Sequence, residues 1–213
     1  MNPFIRNDQF NFIKNQTQGL INGHATVNDQ AVLRALKTLT SEKVLSLFEN
    51  LNEEQKKLLQ AISDVKEKAD AETFLEQIKG MVVPFKEITE PSIKKLFPKV
   101  KKLKVPSLEE IDFKEISYLG WTDKGSNKKF LVVEHNNKIV GISGGYKNSN
   151  KKGICTLCNR FEEIGMFTSA AKGTTQDAFI KRGNYICQDS QECNHNITSL
   201  DKLHDFVELL IGS

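Results

Sequence analysis

Four cysteines constrain this chain more than anything else in it. They come as two pairs, Cys155-Thr-Leu-Cys158 and Cys187-Gln-Asp-Ser-Gln-Glu-Cys193, with 28 residues between the pairs. A Cys-x-x-Cys turn brings two sulfurs close enough to grip one ion, and a second pair beyond a short excursion completes a tetrahedral set. The spacing is that of a closed structural zinc site, because four thiolates leave no open position for a catalytic water. His195, two residues beyond Cys193, could replace one sulfur, but the cysteines complete the set without it. A redox role for Cys155 and Cys158 would leave the second pair unexplained.

Length and composition set the surroundings of that site. A chain of 213 residues has room for one large or two small domains, each with a core. Neither a signal-peptide pattern at the N-terminus nor an apolar run of membrane-spanning length is present, so a cytoplasmic protein is expected. In a reducing compartment, clustered cysteines serve as metal ligands rather than disulfides. The formal net charge of +3 is carried by the part beyond residue 80, which suits an acidic or nucleic-acid partner without choosing between them.

The first eighty residues repeat apolar positions at helical spacing. The runs are Phe10, Ile13, Leu20, Ile21; then Val32, Leu33, Leu36, Leu39 continuing to Phe48; then Leu58, Leu59, Ile62, Val65; then Phe74, Leu75, Ile78. Asn52, with Gln55 three residues on, is a capping-box start for the third run. These stripes predict an antiparallel bundle of four or five short helices over residues 1–83. His24, in Asn22-Gly-His-Ala25, is expected in an exposed turn.

Four of the five prolines, Pro84, Pro91, Pro98 and Pro106, fall within residues 84–106 and exclude one long helix there. This stretch is expected to be a junction that packs with the domain following it. It also carries Lys94, Lys95, Lys99, Lys101, Lys102 and Lys104. Two readings of these stand open: a solvated face, or a contact for phosphates or an acidic protein.

From Ile116 the pattern changes to strands. Ile116–Trp121, Phe130–Glu134 and Lys138–Ile142 are rich in β-branched and aromatic residues, and Asn136-Asn137 suits a hairpin turn. Trp121 is expected in the sheet core and His135 at the surface. Gly144-Gly145 is expected to be a turn, and Lys147–Gly153 a basic loop. Short strands at Met166–Thr168 and Ala178–Ile180 are expected around a turn at Lys172–Asp177, with a second turn at Lys181–Asn184. A final helix carries Leu200, Leu203, Val207 and Leu210 on one face. A knuckle, a hairpin and a helix beside the second ligand pair make a treble clef. The expected fold is therefore α+β: an N-terminal antiparallel helical bundle, then an α/β domain over 107–213 containing an antiparallel sheet. Residues 153–213 of that domain are expected to form a treble-clef zinc finger with four cysteine ligands.

Gly153-Ile-Cys-Thr-Leu-Cys158, Lys181-Arg-Gly-Asn-Tyr-Ile-Cys-Gln-Asp-Ser190 and Cys193-Asn194, preceded by Lys99-Val-Lys-Lys-Leu-Lys-Val-Pro106 and Tyr118-Leu-Gly-Trp121, resemble the FusB-type proteins. Those are elongation factor G-binding proteins that confer resistance to fusidic acid. The resemblance spans the chain and is most specific from Val83-Pro84-Phe85 onward. It implies a protein that is not an enzyme, that holds one structural zinc ion, and that binds the C-terminal domains of elongation factor G. Binding would help the factor leave a ribosome on which the drug has trapped it. It also implies a factor-binding surface that includes Ile154, Arg182, Tyr185 and Phe206. Ile154 stands where relatives have phenylalanine, and Arg182 replaces a lysine of some relatives. Phe206 borders the apolar stripe of the last helix, so burial and binding both account for it. A monomer acting on its partner is expected, with ribosomal RNA contact through the lysines as the alternative.

Overall fold

Helical periodicity in the first eighty residues becomes four helices with identifiable starts. The computed structural model describes residues 1–172 and 179–211. By its contacts the chain divides into two units, Met1–Val83 and Pro84–Ser213. Among the described residues no helix is long and apolar enough to cross a membrane.

In the first unit, α1 (Asn7–Thr26), α2 (Gln30–Leu45), α3 (Glu53–Gln60) and α4 (Lys68–Lys79) follow one another, with a 3-10 turn at Ala61–Asp64. Asn52 caps α3 reciprocally: its side chain accepts from the Gln55 N–H at 2.8 Å, and its own N–H donates to the Gln55 side chain at 3.0 Å. Asp29 caps α2, its carboxylate accepting from the Ala31 and Val32 N–H groups. Ile13, Leu20, Val44, Leu59, Ile62, Phe74 and Ile78 form the core. The Asn22–Ala25 stretch is not a turn. It completes α1, because a Cβ at Gly23 would overlap the Leu36 side chain on α2 and glycine permits that close approach. His24 is accordingly a half-buried residue of the last helical turn.

The second unit opens with α5 (Glu90–Leu96), capped by Thr89 and carrying Pro91 in its first turn. Its main body is a five-stranded antiparallel sheet in chain order: β1 (Tyr118–Asp123), β2 (Lys128–His135), β3 (Lys138–Ile154), β4 (Phe161–Lys172) and β5 (Phe179–Cys187). Asn136 and Asn137 both have positive φ, 51° and 60°, as a two-residue hairpin turn requires. The helices α6 (Ser190–Asn196) and α7 (Asp201–Ile211) complete the chain.

Strand β2 is buried on both sides, and its alternation separates two cores. Phe130 and Val132 pack with Ile88, Ile93 and Phe97 from the proline-rich stretch. Leu131 and Val133 pack with the cysteines and with Leu203, Phe206 and Val207 of α7. Trp121 is half-buried in the first of these cores, stacked on Phe130 with ring centroids 5.1 Å apart. The six lysines from 94 to 104 are all exposed, and Lys94 pairs with Glu90 at 2.6 Å.

In the second unit three further expectations are corrected. Gly144-Gly145 and the polar residues after them form no turn and loop: β3 runs through to Ile154, with a register shift between Asn148 and Lys151. Glycine at 144 lets the strands close up, since a Cβ there would strike the Thr168 carbonyl on β4. Lys181–Asn184 likewise lies within β5, paired with residues of β4. His135 is buried at 7% exposure, because the hairpin end packs beside α7, with the His204 ring 5.4 Å away and Glu208 at 3.7 Å. The turn expected at Lys172–Asp177 falls mainly on residues 173–178, outside the described residues.

Candidate metal centre and adjoining surface

The cysteines reach one point from three elements. Cys155 and Cys158 stand on the knuckle after β3, closed by the Cys155 N–H donating to the Arg160 carbonyl at 2.9 Å. Cys187 ends β5, and Cys193 lies in α6, whose start is capped by Asp189. All four are buried, and their ligand atoms lie within 4.8 Å of one another.

The distances fit zinc. Four sulfurs about 2.3 Å from one ion sit about 3.8 Å apart along the edges of a tetrahedron. Cys155 and Cys193 sulfurs are 3.8 Å apart, and those of Cys158 and Cys187 are 3.7 Å apart. Backbone N–H groups of Leu157 and Cys187 donate to the Cys155 sulfur at 3.4 and 3.3 Å, which stabilises a thiolate there. Crowding splits the thiols: hydrogen bonds from Cys158, Cys187 and Cys193 pull Cys155 far down, while the bond to Cys155 pushes Cys187 and Cys193 up. One divalent ion removes that conflict by compensating the charge that four thiolates would otherwise share. His195 takes no part; it is exposed, 3.7 Å from Glu115.

Helix α6, which carries Cys193, is tied to the start of the sheet by one side chain. Asn194, 2% exposed and next to Cys193, accepts from the Ser117 and Tyr118 N–H groups at 2.7 and 3.1 Å. Its amide donates to the Tyr118 and Ser190 carbonyls, both at 2.9 Å. The Tyr118 hydroxyl lies against Cys193 and Ser190 in the same buried space, where burial first and Cys193 second push its pKa well up.

Around the knuckle the surface is apolar. Ile154 is 57% exposed, Phe161 63% and Tyr185 45%. Ile154 and Phe161 are direct cross-strand partners at the base of the knuckle. The Thr156 N–H donates to the Tyr185 carbonyl at 2.9 Å, so the knuckle is pinned to the edge strand beside Tyr185. Each of the three is a large apolar side chain left exposed beside a rigid element, the kind of side chain that contact surfaces use.

Comparisons with known proteins accord with this geometry. The model of the elongation factor G-binding protein N-terminal domain matches residues 4–86, and that of the FBP C-terminal treble-clef zinc finger matches residues 95–207. The chain belongs to the elongation factor G-binding protein family. A solved structure titled "Structure of the fusidic acid resistance protein FusC" superposes with a TM-score of 0.83 at 31% identity, covering 97% of each chain. No curated protein sequence matched. Family and geometry together make residues of the C-terminal half a treble-clef zinc finger, with four cysteines positioned to hold one zinc ion.

Within this family frame the other residues expected at the site separate. Arg182 and Tyr185 are three apart on one strand with unbroken register, so they point to opposite faces of the sheet. The Arg182 guanidinium donates to the Leu209 carbonyl at 2.7 Å, on the α7 side. Phe206 is 1% exposed and packs on Phe167 with ring centroids 5.6 Å apart. Phe161 was missed by the sequence reading. Its signal lay in the knuckle itself, since strands leaving such a closed turn must pair, and that register sets residue 161 opposite 154.

Proposed function

We propose that the protein binds elongation factor G through the apolar surface beside its zinc knuckle and promotes the factor's departure from a ribosome stalled by fusidic acid. The observation that carries this is the exposure of Ile154, Phe161 and Tyr185 around a knuckle held by a buried metal site, in a member of this family. Such a protein protects the target without altering the drug. It acts by differential affinity: a partner that contacts the factor better off the ribosome than on it shifts the equilibrium toward release. Its place of action would be the cytoplasm, and it would act as a monomer. Tyr185 is the centre of the contact, Ile154 and Phe161 extend it at the base of the knuckle, Arg182 holds the end of α7 while offering positive charge, and Phe206 supports the sheet from beneath. Cys155, Cys158, Cys187 and Cys193 are the zinc ligands.

The test is co-elution of the purified protein with elongation factor G. Tyr185→Ala should weaken binding by about 2 kcal/mol, roughly thirtyfold, while the zinc content stays at one per chain. Binding that is unchanged in Tyr185→Ala and in Phe161→Ala would refute this placement of the surface. The exposed lysines between 94 and 104 favour a second reading, contact with ribosomal RNA. That reading requires binding to RNA alone with a steep salt dependence.

A further inference from the structure

Lys129 is 1% exposed, on the face of β2 that also carries Leu131 and Val133 toward the cysteine cluster. Its ammonium donates to the Gln188 carbonyl at 2.8 Å and lies 5.0 Å from the centre of the Tyr146 ring. The Tyr146 hydroxyl in turn donates to the Ile186 carbonyl at 3.3 Å. Lys129 and Tyr146 therefore hold the backbone on either side of Cys187.

A buried ammonium with one neutral carbonyl and a ring face is costly unless an opposite charge lies near. None of the ion pairs among the described residues includes Lys129. Asp189 is exposed, and its carboxylate accepts the Gln191 and Glu192 N–H groups at the start of α6. Burial pushes the Lys129 pKa down, and negative charge on Cys193, Cys187, Asp189 and Cys155 opposes that. Four thiolates on one divalent ion retain a net negative charge, and the Gln188 carbonyl that holds the ammonium belongs to the residue directly after the ligand Cys187.

We propose that Lys129 is the built-in countercharge of the zinc–thiolate centre: held behind Cys187, its ammonium stabilises the sulfurs as metal-bound thiolates and slows loss of the metal. It is a positioning residue that acts through the Cys187 segment, as outer-shell groups act on other metal sites. The inference rests on the zinc assignment and is independent of what the protein binds.

The test uses the full zinc-loaded chain at fixed neutral pH, mixed with an excess of a chelating dye whose absorbance follows zinc transfer. Lys129→Met, which keeps length and removes charge, should release zinc roughly tenfold faster than the wild type. Lys129→Arg should stay within about twofold of the wild type, because it keeps the charge. Tyr146→Phe, which removes only the bond to the Ile186 carbonyl, should change the rate less than Lys129→Met. Equal rates for Lys129→Met and wild type would overturn the proposal. So would Lys129→Arg or Tyr146→Phe releasing zinc as fast as Lys129→Met, since shape or the backbone clamp would then account for the effect. Should Lys129→Met not fold, Lys129→Arg decides: a folded, zinc-loaded Arg variant with wild-type release supports the role of charge, and failure of both variants rejects it.

Discussion

Asn194 carries more structure than its size suggests. Its side chain makes four hydrogen bonds to main-chain groups: three join the helix bearing Cys193 to the start of the sheet, and the fourth returns to Ser190 in the same helix. Asn194→Ala leaves buried N–H and carbonyl groups without those partners, so urea unfolding should show a loss of roughly 3 kcal/mol. Asn194→Asp keeps the acceptor but sets a buried carboxylate against the Tyr118 and Ser190 carbonyls, so it should lose at least as much. Phe206→Ala should cost about 3–5 kcal/mol through the cavity it opens between α7 and β4. Weakened partner binding in that variant would then report a softened sheet, and its urea midpoint, measured alongside binding, makes the distinction. Tyr185→Ala, by contrast, removes an exposed side chain and should leave stability unchanged within about 0.5 kcal/mol.

Among the elements, β3, β4 and β5 form the mount on which the knuckle stands, and two glycines allow their close spacing. A Cβ at Gly144 would strike the Thr168 carbonyl, and one at Gly183 the Phe167 carbonyl. Each contact is with backbone and cannot relax by a side-chain rotation. Gly144→Val and Gly183→Val should therefore destabilise by about 1–3 kcal/mol each, seen as a lower urea midpoint. The helix α7 ends with the Arg182 guanidinium on the Leu209 carbonyl, a cation where the helix dipole is negative. Arg182→Ala should cost roughly 0.5–1 kcal/mol in stability, with the larger part of that loss recovered in Arg182→Lys. These elements also show why sequence patterns misplaced the turns. Gly144-Gly145 and Lys181–Asn184 have turn composition, yet β-pairing with β4 overrides local preference where a neighbouring strand must approach closely.

At the scale of the whole molecule, the two units differ in what holds them. Met1–Val83 contains no cysteine, and its core is made of helix contacts. In Pro84–Ser213 the cysteines belong to the core itself. Structural zinc contributes on the order of 10 kcal/mol in small peptides, so stripping it should unfold the unit whose core it completes. Calorimetry of the full chain with and without a strong chelator should show one thermal transition lost or sharply lowered and the other preserved. Equal displacement of both would contradict separate cores. Factor binding should vanish with the metal, which is why cysteine variants cannot map the contact surface.

The sequence by itself indicated the metal, the start of α3 and the order of helical bundle, sheet and final helix. Cysteine spacing, the Asn52–Gln55 cap and the apolar periods are local signals, and the physics that reads them acts within a few residues. Only the tertiary structure decided that Arg182 and Tyr185 face apart, that Phe206 and His135 are buried, that Phe161 stands opposite Ile154, and that Lys129 lies behind Cys187. Each of these depends on which strand or helix comes to lie against another, and burial there is set by residues far away in the chain.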